Sequence, residues 1–296
     1  MKKILLFFIA ATLFFTSGCI NCYTYKNSKE YQVYTNDVEI GAFKTLDIDW
    51  ISGSVTIKYG DEFAITETSE RELNDKNKLH YLFKNDKLSI KYCKSGIRTK
   101  GNLSKALVIT LPYELSNLKV EAISANVTIE GITANALNLD TVSGEVKLNN
   151  IKANILSADT VSGNLDAINI NSNNITIDTT SGDVKMSAAN IKNLSAESTS
   201  GDISVMANTI NDVEVETTSG SVSINADIAE MSIDTVSGDV DLVLSSSRAF
   251  KMHYDTSSGS LSSKGIDVNG EYLVYLDGSL IYEVETVSGD LTVKVE

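Results

Sequence analysis

The pentapeptide Asp-Thr-Val-Ser-Gly at residues 140–144 decides the fold, because versions of it return along most of the chain. Each version consists of an acid, Thr or Ser, a variable residue, Ser and Gly. Eight copies end at Gly144, Gly163, Gly182, Gly201, Gly220, Gly238, Gly259 and Gly289. The first five of these positions increase in steps of 19, and the later steps are 18, 21 and 30. A nearly fixed period of this size predicts a repeat architecture.

Within one repeat the apolar positions follow strand periodicity. Over residues 137–141 apolar or small side chains alternate with polar ones, which is typical of a β-strand with one buried face. Beyond the Gly the inward positions are Val146 and Leu148, so the parity changes across Ser-Gly. We therefore predict that the eight glycines are structural corner residues, and we expect them to adopt positive φ.

The apolar columns recur in every copy, and this predicts how the copies pack. A repeat of this length cannot form its own core, but stacked copies bury each column against its neighbour. The sequence therefore predicts an all-β fold, a single-domain parallel β-solenoid with coils of about 19 residues. We expect an irregular β cap at the N-terminal end. The long interval between Gly259 and Gly289 predicts an inserted hairpin around Asp277-Gly278.

The N-terminus has the features of a targeting segment. Lys2 and Lys3 precede an apolar run over residues 4–15, and small residues at 16–18 lead to Cys19. This pattern predicts a signal peptide over residues 1–18 with a lipobox ending at Cys19, the lipid-attachment residue. An ordinary signal peptide with an incidental Cys is the alternative. The rest of the chain divides into a tether (19–37), an N-terminal β cap with the first rung (38–117) and the solenoid repeats (118–296).

Composition limits the partners and the compartment. The 296 residues carry 39 acidic and 25 basic side chains, a formal charge of −14, which argues against nucleic acid. We expect an exported lipoprotein anchored in the cell membrane or the outer membrane, with a glycan or protein ligand on an extended face. Cys22 and Cys93 are too few for a disulfide framework, and the sequence leaves open whether they are bridged.

The acid that begins each copy forms a column that parity directs outward. Stacking places these carboxylates about 4.8 Å apart. A cation ladder is one interpretation, with the candidate residues Asp140, Asp159, Asp178, Glu197, Glu216 and Asp234. A solvated acidic face is the other, because like charges at this distance in water repel by only about 1 kcal/mol before screening. We expect no cofactor and no specific metal site.

Catalysis is not expected from this sequence. A uniform acidic column does not offer the two unlike carboxylate environments that acid–base catalysis requires. The two histidines, His80 and His253, do not lie beside a Ser or Cys in a nucleophile motif. A polysaccharide-acting β-helix enzyme is the remote alternative.

The repeated T-x-S-G-[DN]-[VIL] signature resembles that of a bacterial putative-adhesin domain of unknown function, built from β-strand repeats. The resemblance covers residues 38–296, and residues 107–112 resemble the strand that precedes the array in that family. It implies a non-catalytic binding or adhesion module. The alternative is a structural or stress-sensing lipoprotein that faces the cell's own envelope. The family offers no catalytic residues to carry over.

Overall fold

The computed structural model describes residues 22–35, 37–98 and 103–296. The signal peptide predicted for residues 1–18 and the lipid-attachment residue Cys19 lie outside this part of the chain. The described residues form β-strands and no helix, so none of them belongs to a helix that could cross a bilayer.

The strands are numbered in chain order. They are β1 (Cys22–Tyr23), β2 (Gln32–Val33), β3 (Thr45–Tyr59), β4 (Ala64–Ser69), β5 (His80–Lys84), β6 (Lys87–Lys91), β7 (Ile97–Arg98), β8 (Lys105–Leu111), β9 (Leu115–Glu130), β10 (Thr133–Thr141), β11 (Val146–Thr160), β12 (Leu165–Thr179), β13 (Val184–Ser198), β14 (Ile203–Thr217), β15 (Val222–Thr235), β16 (Val240–Leu244), β17 (Phe250–Thr256), β18 (Leu261–Lys264), β19 (Asp267–Asn269), β20 (Tyr272–Tyr275), β21 (Leu280–Thr286) and β22 (Leu291–Val295).

The central repeats stack as the sequence predicts. Strands β9 to β15 pair in parallel, and equivalent residues of successive copies face each other, as Asp159 faces Asp178. The resulting sheet winds as a solenoid and does not close. The predicted all-β solenoid is therefore confirmed, and its core is a set of apolar columns that run along the stack.

Each central coil has three short sides. In β11 the buried side chains are Val146 and Leu148 on the first side, Ile151 and Ala153 on the second, and residues 156, 158 and 160 on the third. The first corner contains Asn150, which has a φ of 54°, a conformation that Asn tolerates better than most residues. The third side ends at the Ser-Gly corner, where the strand is interrupted before Leu165 begins the next coil.

At the Ser-Gly corner the expectation of positive φ is wrong. None of the eight repeat glycines has positive φ; the equivalent glycine of β3, Gly53, does. The need for Gly is instead steric, because a Cβ at any of the eight positions would lie 1.8–2.0 Å from a carbonyl oxygen on the neighbouring rung. Gly182, for example, faces the carbonyl of Gly163.

The other motif residues satisfy the backbone at this corner. The Thr179 hydroxyl accepts a bond from the Gly182 amide at 3.0 Å and donates one to the Gly182 carbonyl. The Ser181 hydroxyl donates to the Val161 carbonyl one rung away. The Asp202 amide donates to the Asp183 carboxylate at 3.1 Å. Each copy thus supplies partners for backbone groups that a corner would otherwise leave unpaired.

Both ends of the stack depart from sequence order. At the N-terminal end β3 lies between β9 and an outer rung formed by β6 and β8, which β5 and β4 cover in antiparallel pairing. At the C-terminal end β21 and β22 are inserted between β15–β16 and β17–β18. The last segment of the chain is therefore not the last rung of the solenoid.

The predicted C-terminal hairpin is present, but its turn lies elsewhere. Strands β19 and β20 pair in antiparallel fashion around Gly270, which has a φ of 65°. The expected turn at Asp277-Gly278 instead connects β20 to β21, which lie on opposite edges of β17. Both loops contain a Gly, so the sequence alone does not distinguish the two turns. In the structure both glycines have positive φ.

The segment predicted as a tether, residues 19–37, is part of the cap where it is described. Strand β1 pairs with β7, and β2 pairs with β5. The rings of Tyr23, Tyr25 and Tyr31 contact each other in series, with centroid distances of 5.3 and 4.9 Å. Aromatic burial of this kind offsets the conformational entropy that a free tether would retain.

Candidate functional site

The candidate site is the acidic face, defined as the outward surface of the third sides of the coils, with the leading acids of the motif at its centre. These acids are in register on adjacent strands and form a ladder in the order Asp49, Glu121, Asp140, Asp159, Asp178, Glu197, Glu216, Asp234, Glu285 and Asp255. Nine steps of about 4.8 Å give a ladder about 43 Å long. The inserted last segment explains why Glu285 precedes Asp255.

Cations compensate only the N-terminal end of this ladder. Lys91 continues the column beyond Asp49, and the Lys91 Nζ lies 3.4 Å from the Asp49 carboxylate. The Lys119 Nζ lies 2.5 Å from Glu121 and 3.4 Å from Asp140. Within the described part of the chain, the seven acids from Asp159 to the end of the ladder have no Lys, Arg or His nitrogen within 4.0 Å. The C-terminal two-thirds of the face therefore carries uncompensated negative charge.

Partial burial raises the pKa values of several ladder carboxylates. The pKa of Asp159 is raised from its ordinary value of 3.8 to about 6. Partial burial is the larger cause, and repulsion from the Asp178 and Asp140 carboxylates adds to it. Partial burial also raises the pKa of Asp178. The pKa values of Glu197 and Asp234 are also raised, mainly by partial burial and further by repulsion from neighbouring acids. All four shifts are upward, so these four carboxylates bind protons more readily than isolated carboxylates do.

The leading acid differs from the acid that follows the Gly. Asp290, which follows Gly289, accepts a hydrogen bond from the Ser260 amide, and this bond lowers its pKa. Across the described residues, by contrast, no ladder carboxylate accepts a hydrogen bond from a backbone amide. In the copies that have an acid after the Gly, that acid belongs to the corner together with Thr and Ser, whereas the leading acid faces solvent and is available to ligands.

The potential metal-ligating side chains of the described residues are dispersed. In the part of the chain that the structure describes, there is no group of three or more His, Cys, Asp or Glu side chains that could hold one metal ion. His80 is buried with its Nδ1 3.0 Å from the Lys78 carbonyl oxygen, and burial lowers its pKa. The Nε2 of His253 lies 3.7 Å from the Glu271 carboxylate at the C-terminal end of the stack.

Two small cavities lie in the described part of the chain. One of about 260 Å³ lies at the C-terminal end and is lined by residues such as Tyr254, Leu261 and Glu271. Another of about 200 Å³ lies beside Asp227 and Ser245. Sites for drug-sized molecules usually enclose roughly 300–1,000 Å³, so these cavities are below that range.

Residues 43–230, more than half of the chain, match the model of the Toastrack DUF4097 family, a domain of unknown function. The chain belongs to this family. No curated protein matches the sequence.

Three solved structures are similar to this chain at low sequence identity. A protein from Parabacteroides distasonis named "putative lipid binding protein" is 17% identical, with 88% of this chain and 94% of that chain covered and a TM-score of 0.53. A "putative cell adhesion protein" from Clostridium sporogenes is 16% identical over 90% and 98% of the two chains, with a TM-score of 0.29. A "putative adhesin" from Bacteroides fragilis is 14% identical over 90% and 97%, with a TM-score of 0.39.

One buried site in this Toastrack chain was missed by the sequence reasoning. Lys105 is 1% exposed, and its Nζ lies 2.6 Å from the Glu67 carboxylate and donates to the carbonyls of Asn77 and Tyr92. The ammonium also lies 4.7 Å from the centre of the Trp50 ring. The alternation of inward and outward residues could have indicated this burial, because Lys105 occupies an inward position of β8, as Leu107 does.

Proposed function

We propose that this chain is a non-catalytic extracytoplasmic binding or adhesion module that is anchored to a membrane by a lipid on Cys19. The observation that carries the proposal is the acidic face, which is about 43 Å long at about 4.8 Å per rung and mostly uncompensated. A straight surface with repeated carboxylates suits an extended ligand that contacts many rungs at once. Weak contacts at each rung then combine into a stronger total through multivalency.

The charge of the face defines the ligand class. The ligand is an extended glycan or protein segment that carries positive charges along its length, because these pair with carboxylates that have no cation of their own. Electrostatic complementarity of this kind sets the encounter rate and the partner preference more than the final affinity. We therefore expect binding to weaken as the salt concentration rises.

The binding claim is tested with three ladder substitutions, Asp178→Asn, Glu197→Gln and Glu216→Gln, made together. We expect the variant to lose most of its retention on a cationic polymer such as polylysine or chitosan. The control removes three acids from the first sides of the coils, with Glu130→Gln, Asp166→Asn and Asp241→Asn. Equal loss in both variants would show that net charge, and not the ladder, is responsible.

The location of the module is tested by adding protease to intact cells, with a known periplasmic protein as the control for leakage. Digestion of the solenoid on intact cells supports outward display and adhesion. Protection until lysis would overturn the adhesion proposal and favour a structural or stress-sensing partner within the cell's own envelope.

The anchor is tested separately by Cys19→Ala. We expect the variant to move from the membrane fraction to the soluble fraction, because the acyl chains would be lost. Continued recovery with the membranes would contradict lipid attachment at this residue.

A further inference from the structure

The charges of the chain are distributed unevenly along the solenoid. Residues 20–105 contain 14 basic and 12 acidic side chains, whereas residues 106–296 contain 9 basic and 27 acidic side chains. Residues 20–105 therefore have a net charge of +2 and residues 106–296 a net charge of −18. A molecule with this asymmetry has one end that anionic surfaces attract and a body that they repel.

The positive charge at the cap is concentrated beside β1 and β7. Segments 22–33 and 91–98 contain five basic residues and one acid, Glu30, which pairs with Lys84 at 2.9 Å. Four of these cations are exposed, and none of the four has a carboxylate within 4.0 Å among the residues that the structure describes. We call these four residues the basic end: Lys26, Lys29, Lys94 and Arg98.

The backbone fixes the basic end in place. Strand β1 pairs with β7, so Cys22 faces Arg98, and the Gly96 amide donates to the Tyr23 carbonyl at 2.7 Å. The Tyr25 amide donates to the Ser95 hydroxyl at 3.2 Å. The partly exposed Tyr25 lies in the same segment as Lys26 and Lys29, and the Lys91 Nζ lies 6.0 Å from the centre of the Tyr25 ring. Tyrosine and basic residues together are typical of surfaces at a membrane–water interface.

The basic end is also close to the proposed anchor along the chain. Cys19 precedes Cys22 by three residues, and an extended chain spans at most about 3.6 Å per residue. A lipid on Cys19 would therefore hold β1 within about 11 Å of the bilayer surface. The uncompensated part of the ladder begins at Asp159, four rungs or about 19 Å beyond Lys91. That separation exceeds the Debye length of about 8 Å at physiological salt. Dissolved ions therefore screen most of the repulsion between this part of the ladder and an anionic bilayer.

We propose that the basic end is a docking surface for an anionic lipid bilayer, which it contacts beside the anchor so that the acidic face extends away from the membrane. The inference rests on the proposed function for the anchor itself. It adds that the solenoid is oriented by headgroup contacts and does not swing on a free tether. Each exposed Lys or Arg at an anionic surface strengthens binding by roughly five-fold.

The experiment uses residues 20–296, which contain every described strand, with an N-terminal hexahistidine tag bound to vesicles that contain a nickel-chelating lipid. The tag replaces the acyl anchor, so the result does not depend on lipidation of Cys19. Amide hydrogen exchange is compared on vesicles of phosphatidylcholine alone and on vesicles in which phosphatidylglycerol replaces one lipid in three. We expect slower exchange in segments 22–33 and 91–98 only on the phosphatidylglycerol vesicles, and loss of this protection in concentrated salt, which screens the headgroup charge.

Charge variants decide whether the basic end is responsible. Lys26→Gln, Lys29→Gln, Lys94→Gln and Arg98→Gln together should abolish the protection. The matched control, with Lys152→Gln, Lys185→Gln, Lys192→Gln and Lys264→Gln, removes four exposed lysines from the solenoid and should retain it. Equal protection on both vesicle types, or unchanged protection in the first variant, would overturn the proposal. Protection by a soluble polyanion without protection by vesicles would also overturn it, in favour of an anionic polymer.

Discussion

At the scale of the residue, the repeat glycines are determined by the space between rungs. A Cβ on Gly182 would lie 2.0 Å from the Gly163 carbonyl oxygen and 2.7 Å from the carbonyl carbon. These are backbone atoms of a paired rung, so they cannot move without breaking the ladder. The same close approach recurs at every corner, which explains why Gly occupies the position in all eight copies.

We therefore expect Gly182→Ala to destabilise the protein by about 2–3 kcal/mol, the range of overpacked core substitutions. Thermal unfolding measures the change. Gly41→Ala is the control, because its Cβ would lie 3.8 Å from the nearest atom, on the Phe83 ring, and its φ is not positive. If positive φ were the requirement, Asn at position 182 would be tolerated better than Ala, and that result would contradict the steric explanation.

Asp159 makes the stability depend on pH. Its pKa is about 6 in the folded chain and 3.8 ordinarily, so between these values the folded state binds more protons than the unfolded state. Stability from this residue therefore rises as the pH falls through about 6 towards 3.8, and the cost of burying the charged carboxylate among like charges is fully present above about 6. Because the side chain is partly exposed, solvent screening reduces this cost to about 1 kcal/mol.

We expect Asp159→Asn to raise the melting temperature at pH 7.5 and to have little effect at pH 4. The comparison of the variant with the parent protein is the relevant measurement, because His80 acts in the opposite direction. Burial lowers the pKa of His80, so its contribution is lost as the pH falls. A difference between the two proteins that does not change with pH would contradict the raised pKa of Asp159.

At the scale of the element, the N-terminal cap depends on one buried ion pair. Burial lowers the pKa of Lys105, and Glu67 opposes this effect. The Glu67 carboxylate also accepts the Leu79 amide at 3.0 Å, so it connects β4 to the segment before β5 as well as to β8. A buried charge without its partner is costly because no water replaces the lost interaction.

We expect Glu67→Gln to destabilise the chain by about 3 kcal/mol, since it leaves the Lys105 ammonium buried and unpaired. Adding Lys105→Met should recover much of this loss, because the double variant contains no buried charge at the site. Denaturant unfolding provides the free energies. Lys84→Gln breaks the exposed Lys84–Glu30 pair, with side chains 61% and 45% exposed, and should change stability by less than about 0.5 kcal/mol. Equal effects of the buried and exposed changes would refute the assignment.

At the scale of the whole molecule, the order of the rungs differs from the order of the sequence at both ends. Ser232 of β15 faces Glu283 of β21, and Glu283 in turn faces His253 of β17. Two rungs therefore separate Ser232 from His253, a distance of about 9.6 Å. Sequential stacking would have made Ser232 and His253 direct neighbours.

Paired cysteine substitutions test this order. Ser232→Cys with Glu283→Cys should form a disulfide under mild oxidation, since adjacent rungs lie within the separation that a disulfide spans. Ser232→Cys with His253→Cys should not, because Cα atoms separated by more than about 7 Å cannot be bridged without backbone movement. Mass analysis of the linked peptides distinguishes the two pairs, and the reverse outcome would restore sequential stacking.

The sequence by itself determined the solenoid, the length of its coil, the inward columns and the outward acidic ladder. These follow from period and parity, which are local properties repeated along the chain. The Asn85-Asp86 turn was also predictable, because both residues adopt positive φ between β5 and β6, as a two-residue hairpin requires.

Only the tertiary structure decided the steric role of the glycines, the inserted rung at each end and the burial of Lys105. It also placed the tyrosines of residues 22–33 on the cap instead of in a tether. All of these features depend on which segments meet in space. Because equivalent rungs carry nearly the same motif, the sequence does not distinguish one stacking partner from another. Packing at the ends resolves that degeneracy, because Tyr282 reaches the Ile228 carbonyl at 2.6 Å only from the inserted position.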